Sequence, residues 1–62
     1  MAKTIAEIER IALERRLDSL DGLSAQELNV LLATLKRQRV PLAEEEIFTQ
    51  FYLEVAQRVR NR

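Results

Sequence analysis

The chain has 62 residues, room for one small domain, with 10 Lys+Arg balanced by 10 Asp+Glu and neither Cys nor His. The missing Cys excludes a disulfide framework, a thiolate nucleophile and Cys-based zinc sites, and the missing His removes the usual general base and the commonest metal ligand. Zero net charge gives no overall field toward nucleic acid or an acidic membrane, and no apolar run approaches the ~18 residues that span a bilayer. A composition 47% hydrophobic and 32% charged belongs to a globular chain, so the expectation is one soluble, cytoplasmic domain over residues 1–62.

One Gly and one Pro divide the sequence into three pieces of similar length. Thr4-Ile5-Ala6-Glu7 has capping-box spacing, in which the Thr hydroxyl accepts from the Glu7 amide while the Glu7 carboxylate reaches back. It predicts a helix over about 5–20, stopping at Asp21-Gly22, where Gly takes the left-handed conformation without a Cβ penalty. Ser24 and Glu27 form a second capping box, with Leu23 and Leu28 in the flanking staple positions, and open a helix over about 25–39. Val40 before Pro41 is pushed toward an extended conformation. Pro41 and the acidic run Glu44-Glu45-Glu46 suit the start of a third helix over about 42–60, which ends in Arg58, Arg60 and Arg62. The structural rival is a Pro-kinked continuation of the second helix into the third.

Helical periodicity marks the faces to be buried. The second helix aligns Leu28, Leu31, Leu32 and Leu35; the third aligns Phe48, Phe51, Tyr52, Val55 and Val59, with Ile47 at the edge. The first carries two stripes, Ile5-Ile8-Ala12 and Leu13-Leu17-Leu20, and is therefore expected to touch two partners. The fold class is all-α: three short helices as a small antiparallel bundle or helical hairpin, completed by homodimerisation. The energy balance favours a second chain. Burying ~60% of the unfolded surface contributes ~90 kcal/mol, and ordering 62 residues at ~1.5 kcal/mol each costs about the same. Ile11, Val30 and Leu53 fall off the stripes. They are either scattered surface hydrophobes or the marks of a second, intermolecular face. Leu53, nearly opposite the Phe48–Val55 side, is the best candidate among them.

Two basic clusters, Lys36-Arg37-Gln38-Arg39 and Arg58-Val59-Arg60-Asn61-Arg62, raise a nucleic-acid reading. Phosphate binding needs such charges on one face, so that counterions are released together. With helices running up, down and up, the clusters fall at opposite ends, the first beside Glu44–Glu46 and the second beside Asp18 and Asp21. A dimer is the one arrangement that brings Lys36, Arg37, Arg39, Arg58 and Arg60 together. No catalytic, cofactor or metal constellation is visible. Consecutive glutamates at 44–46 point about 100° apart on a helix and do not converge, and Tyr52 sits in an apolar stripe.

The stretch Arg16-Leu17-Asp18-Ser19-Leu20-Asp21-Gly22-Leu23-Ser24-Ala25-Gln26-Glu27-Leu28 resembles the helix–turn–helix connections of several small helical modules. These include the docking helices of polyketide and peptide synthetase subunits and the phycobilisome-degradation adaptors. The shared part is a capping box with leucines, covering about a fifth of the chain; Pro41 and the Glu run fit neither pattern, and no family is assigned. The resemblance implies binding of a partner protein. The expected function is thus a small, non-enzymatic regulator, adaptor or assembly factor, self-associating and partner-binding, with no cofactor. The alternative is a small nucleic-acid-binding regulator using the Arg clusters.

Overall fold

The computed structural model of the chain describes residues 3–61. Its three α-helices are α1 (Ile5–Glu14), α2 (Ala25–Arg37) and α3 (Glu45–Arg60). Short 3₁₀ turns lie at Leu17–Leu20 and Leu42–Glu44. The all-helical architecture is as the sequence predicts. Among the described residues, no helix is long and apolar enough to cross a membrane.

Both capping boxes form. The Glu7 amide donates to Thr4 Oγ1 at 3.1 Å and the Thr4 amide to Glu7 Oε1 at 3.2 Å. At α2 the Glu27 amide donates to Ser24 Oγ at 3.2 Å and the Ser24 amide to Glu27 Oε1 at 2.8 Å. Each box satisfies amide donors that the first turn of a helix leaves without intrahelical acceptors. The kinked-continuation rival does not hold. Helix α2 ends at Arg37, two residues short of expectation, because Gln38 turns extended and the chain stays non-helical through Pro41.

The first helix departs most from its sequence pattern. It ends at Glu14 rather than at Leu20, because Arg15 adopts a left-handed conformation (φ 55°, ψ 47°) and Arg16 is extended. A left-handed residue with a Cβ costs roughly 1–2 kcal/mol, so tertiary contacts must hold it. Two contacts do, beside the local bond from the Arg15 amide to the Ile11 carbonyl at 3.0 Å: its guanidinium pairs with Glu44 at 2.7 Å, and the same group lies 5.3 Å from the Phe48 ring centroid. Gly22 is left-handed as predicted (φ 87°), but it follows the Leu17–Leu20 turn rather than an α-helix.

This break corrects the topology. The amide of Lys3, just ahead of α1, donates to Glu27 Oε2 at 3.0 Å, so α1 and α2 begin side by side. Glu9 and Leu13, later in α1, line a groove with Thr34, Arg37 and Gln38 at the far end of α2. Helices α1 and α2 therefore point the same way, and residues 15–24 return along the bundle to connect them. Helix α3 runs opposite to both: its start meets Arg15 through Glu44 and its end meets Asp21 through Arg58, at 3.1 Å. The order is up, up, down instead of up, down, up. Helix α2 packs against both of the others.

The core contains Ile8, Ile11 and Ala12 of α1, Leu20, then Leu28, Leu31 and Leu35 of α2, and Phe51 and Val55 of α3. Phe48, Tyr52 and Val59 close its edge, with the Phe48 and Tyr52 rings 6.0 Å apart. The expected second stripe of the first helix does not exist as a buried face. Leu13 is 67% and Leu17 55% exposed, and only Leu20, carried by the 3₁₀ turn, enters the core.

Two outcomes follow for stability. Gly22→Ala is expected to cost about 1 kcal/mol through backbone strain alone, since an added Cβ meets no atom within 4 Å; Gly22→Asn costs less. Chemical denaturation of the two variants measures the difference. Glu27 gives a pH signature. The Ser24 amide holds its carboxyl below the usual value, helped by the Lys3 amide, against the opposing pull of burial. A depressed folded-state value means that stabilisation is full above the ordinary carboxylate range near pH ~4 and disappears as pH falls through the folded value. Wild type should therefore melt above Glu27→Gln at neutral pH, and their melting temperatures should converge in acid; a constant gap from neutral to acid pH contradicts this assignment.

Candidate protein interface

The core takes two of the three residues that sequence periodicity set aside as off-stripe. Ile11 is only 9% exposed and belongs to the core itself, because α1 buries the face running through Ile8, Ile11 and Ala12. Val30 is half-buried against that core, and its carbonyl accepts the Thr34 hydroxyl at 2.9 Å. Ile11 therefore presents no open surface to another chain, a correction to its grouping with Leu53, while Val30 keeps part of its surface exposed. Leu53 is 60% exposed. It sits on α3 away from Phe51 and Val55, as the period of the helix requires.

Around Leu53 the outer side of α3 is polar and accessible: Glu46, Gln50, Gln57 and Arg60 are all exposed. Beside it lies a shallow depression of about 360 Å³ lined by Leu53, Ala56, Gln57, Arg60 and Asn61. All five belong to α3 or its cap, so the hollow is a feature of this helix surface rather than a cleft between elements. Small Ala56 leaves space between its longer neighbours. The groove between α1 and α2, about 280 Å³, is different in kind, since Glu9 and Arg37 place opposite charges on its walls and Leu13 supplies its apolar side.

The exposed apolar surface is larger than the sequence stripes foretell. Ile5, Leu13, Leu17, Leu42 and Ile47 are also exposed. Leu13 and Leu17 escaped notice because a continuous helix to residue 20 would have turned them toward a neighbour. Leu42 was hidden by its assignment to the regular part of the third helix, whereas it lies in the 3₁₀ turn ahead of α3.

The basic residues do not gather. Lys36 and Arg37 close α2, with Arg39 just beyond, while Arg58 and Arg60 close α3 at the other end of the bundle. Arg58 is engaged: it pairs with Glu54 at 3.0 Å and with Asp21 at 3.1 Å, and these two hydrogen bonds, Glu54 first, raise its pKa above the ordinary value. The expected link between Arg58 and Asp21 is present. Asp18 pairs with Arg16 instead, at 2.9 Å, and Glu44 takes Arg15 rather than the 36–39 cluster. Arg62, part of the second cluster, lies outside the described residues.

Arg15 is the most constrained cation. Its side chain is buried over Phe48, and its Nε has no hydrogen-bond acceptor among the described residues. The ring face and Glu44 compensate its charge. Sequence reading missed this residue, because nothing in Glu14-Arg15-Arg16-Leu17 signals a helix end. Among the described residues, no three acidic side chains converge as metal ligands. Comparison with protein-family models, curated proteins and solved structures found no match for this chain.

The positions of Ile11 and Leu53 make opposite demands on one substitution. Ile11→Asp places an unpaired carboxylate in the core, a cost of several kcal/mol that takes up most or all of the stability of a domain this small. Leu53→Asp stays within about 0.5 kcal/mol for the isolated protomer. Circular dichroism should show loss of helix for the first and full helix for the second.

Proposed function

We propose that this chain is a small, non-enzymatic helical module that self-associates through the outer side of α3 and acts by binding another protein, as a regulator, adaptor or assembly factor. The observation that carries the reading is Leu53, a large apolar side chain 60% exposed beside a hollow of its own helix. A lone exposed leucine is ordinary on a soluble protein. Here it is joined to a small domain whose burial and ordering terms nearly cancel, so covering it with a second chain adds stability that one protomer lacks.

The nucleic-acid alternative has less support. Its residues are divided between the two ends of the bundle, and Arg58 is already held by Glu54 and Asp21. A backbone-binding surface needs its cations on one face and free to replace counterions.

Sedimentation equilibrium at high micromolar concentration tests the proposal. Wild type is expected to show a reversible dimer, and Leu53→Asp a monomer of unchanged helix content. A wild type that stays monomeric and matches Leu53→Asp at every concentration overturns the self-association. Retention on duplex DNA or RNA that weakens steeply with salt favours the alternative.

A further inference from the structure

Along the outer side of α3, Glu46, Gln50, Leu53, Gln57 and Arg60 follow one another at steps of four, three, four and three. Those steps keep one row of side chains facing a single neighbouring helix, the spacing of a coiled-coil seam. All five residues are exposed, so α3 has this row in addition to the face that it buries. The hollow beside Leu53 follows the same geometry. Leu53, Ala56, Gln57 and Arg60 stand at i, i+3, i+4 and i+7, the four corners of a hole into which a side chain of a facing helix inserts. The row thus offers a knob, Leu53, and a hole of which Leu53 is one corner.

Its charges give the direction of a partner. Glu46 begins the row and Arg60 ends it, each seven residues from Leu53. Neither has an ion-pair or hydrogen-bonding side-chain partner among the described residues, unlike Arg58, which is taken by Glu54 and Asp21. A parallel copy would set glutamate against glutamate and arginine against arginine. An antiparallel copy centred on Leu53 sets each glutamate against an arginine and Gln50 beside the opposite glutamine. It also opposes the helix macrodipoles.

We propose that the occupant of this face is a second copy of the chain, packed with α3 antiparallel to α3 about a two-fold axis near Leu53, Glu46 pairing with Arg60 of the partner subunit. The proposal rests on the self-association reading and gives it a register. The interface is isologous, since one row supplies both halves. With a single leucine per row between polar residues, it lies at the small end of protein interfaces, below about 1,200 Å², and the dimer forms and separates readily. Glutamine and charge in the seam fix alignment at a cost in affinity.

Charge reversal in the full chain tests the register, with dimerisation read by sedimentation equilibrium. Glu46→Arg alone and Arg60→Glu alone should each weaken self-association about tenfold or more, because each brings like charges together at both ends. An equimolar mixture of the two variants should associate about as well as wild type, since opposite charges face each other at both ends of the mixed dimer. Both positions are exposed, so circular dichroism should show unchanged helix. The absence of native Cys allows a second readout: Glu46→Cys and Arg60→Cys chains should cross-link with each other on mild oxidation, and neither with itself. Cross-linking of Glu46→Cys to its own kind, or a dimer sensitive to Leu53→Asp but indifferent to both reversals, overturns the antiparallel register and leaves self-association standing. A monomeric wild type overturns both.

Discussion

Two helices that run side by side in the same direction cannot be joined by a tight turn. The chain must travel back along the bundle, and something must tie the two starting points together. In this protein the tie is the Glu27 carboxylate, only 3% of whose residue surface is exposed. One oxygen accepts from the Ser24 amide and completes the cap of α2; the other accepts from the Lys3 amide, ahead of α1. A buried carboxylate is costly unless amide donors surround it, and one of these two, the Lys3 amide, lies 24 residues from Glu27 in sequence. The residue that starts α2 thereby places α1, and the position of α1 determines which apolar side chains form the core.

At the other end of the bundle the same requirement falls on Arg15. For α1 to stop after Glu14 and release the chain into its return path, Arg15 must take a left-handed backbone. Phe48 and Glu44, both from the α3 side, stabilise it there by accepting its guanidinium. Residues 16–22 then carry Leu20 into the core and deliver Asp21 to Arg58 at the far end of α3. Each end of α3 is therefore clamped to the crossing segment by an ion pair. These pairs align the elements more than they stabilise them, because Glu44 and Asp21 remain well exposed.

This arrangement decides which surface remains for another molecule. Ile11 is absorbed and Val30 partly covered where α1 and α2 pack together, and Phe51 and Val55 join the same core where α3 packs on α2. The side of α3 that faces away from α2 keeps Leu53 and an orderly row of polar residues with a charge at each end. A helix in that position can meet a partner without disturbing the core.

How much of this was legible in the sequence depends on the range of the interactions involved. Both capping boxes, the left-handed Gly22, the leucine stripe of α2 and the aromatic stripe of α3 are local features, fixed by residues three or four apart, and the chain alone determined them. It also determined that Leu53 would stand outside, since the period of α3 opposes it to the aromatic stripe. The end of α1 was not legible: Glu14-Arg15-Arg16-Leu17 suits a helix, and its left-handed turn is held by Phe48 and Glu44, some thirty residues on. Nor was the burial of Ile11, which depends on α1 packing into the shared core, or the second task of Glu27, whose Lys3 partner comes from the other end of the first segment. Local hydrogen bonds and periodicity set the helices; the parallel placing of α1, and with it the choice between core and surface for Ile11, Leu13 and Leu17, was decided only when distant segments met.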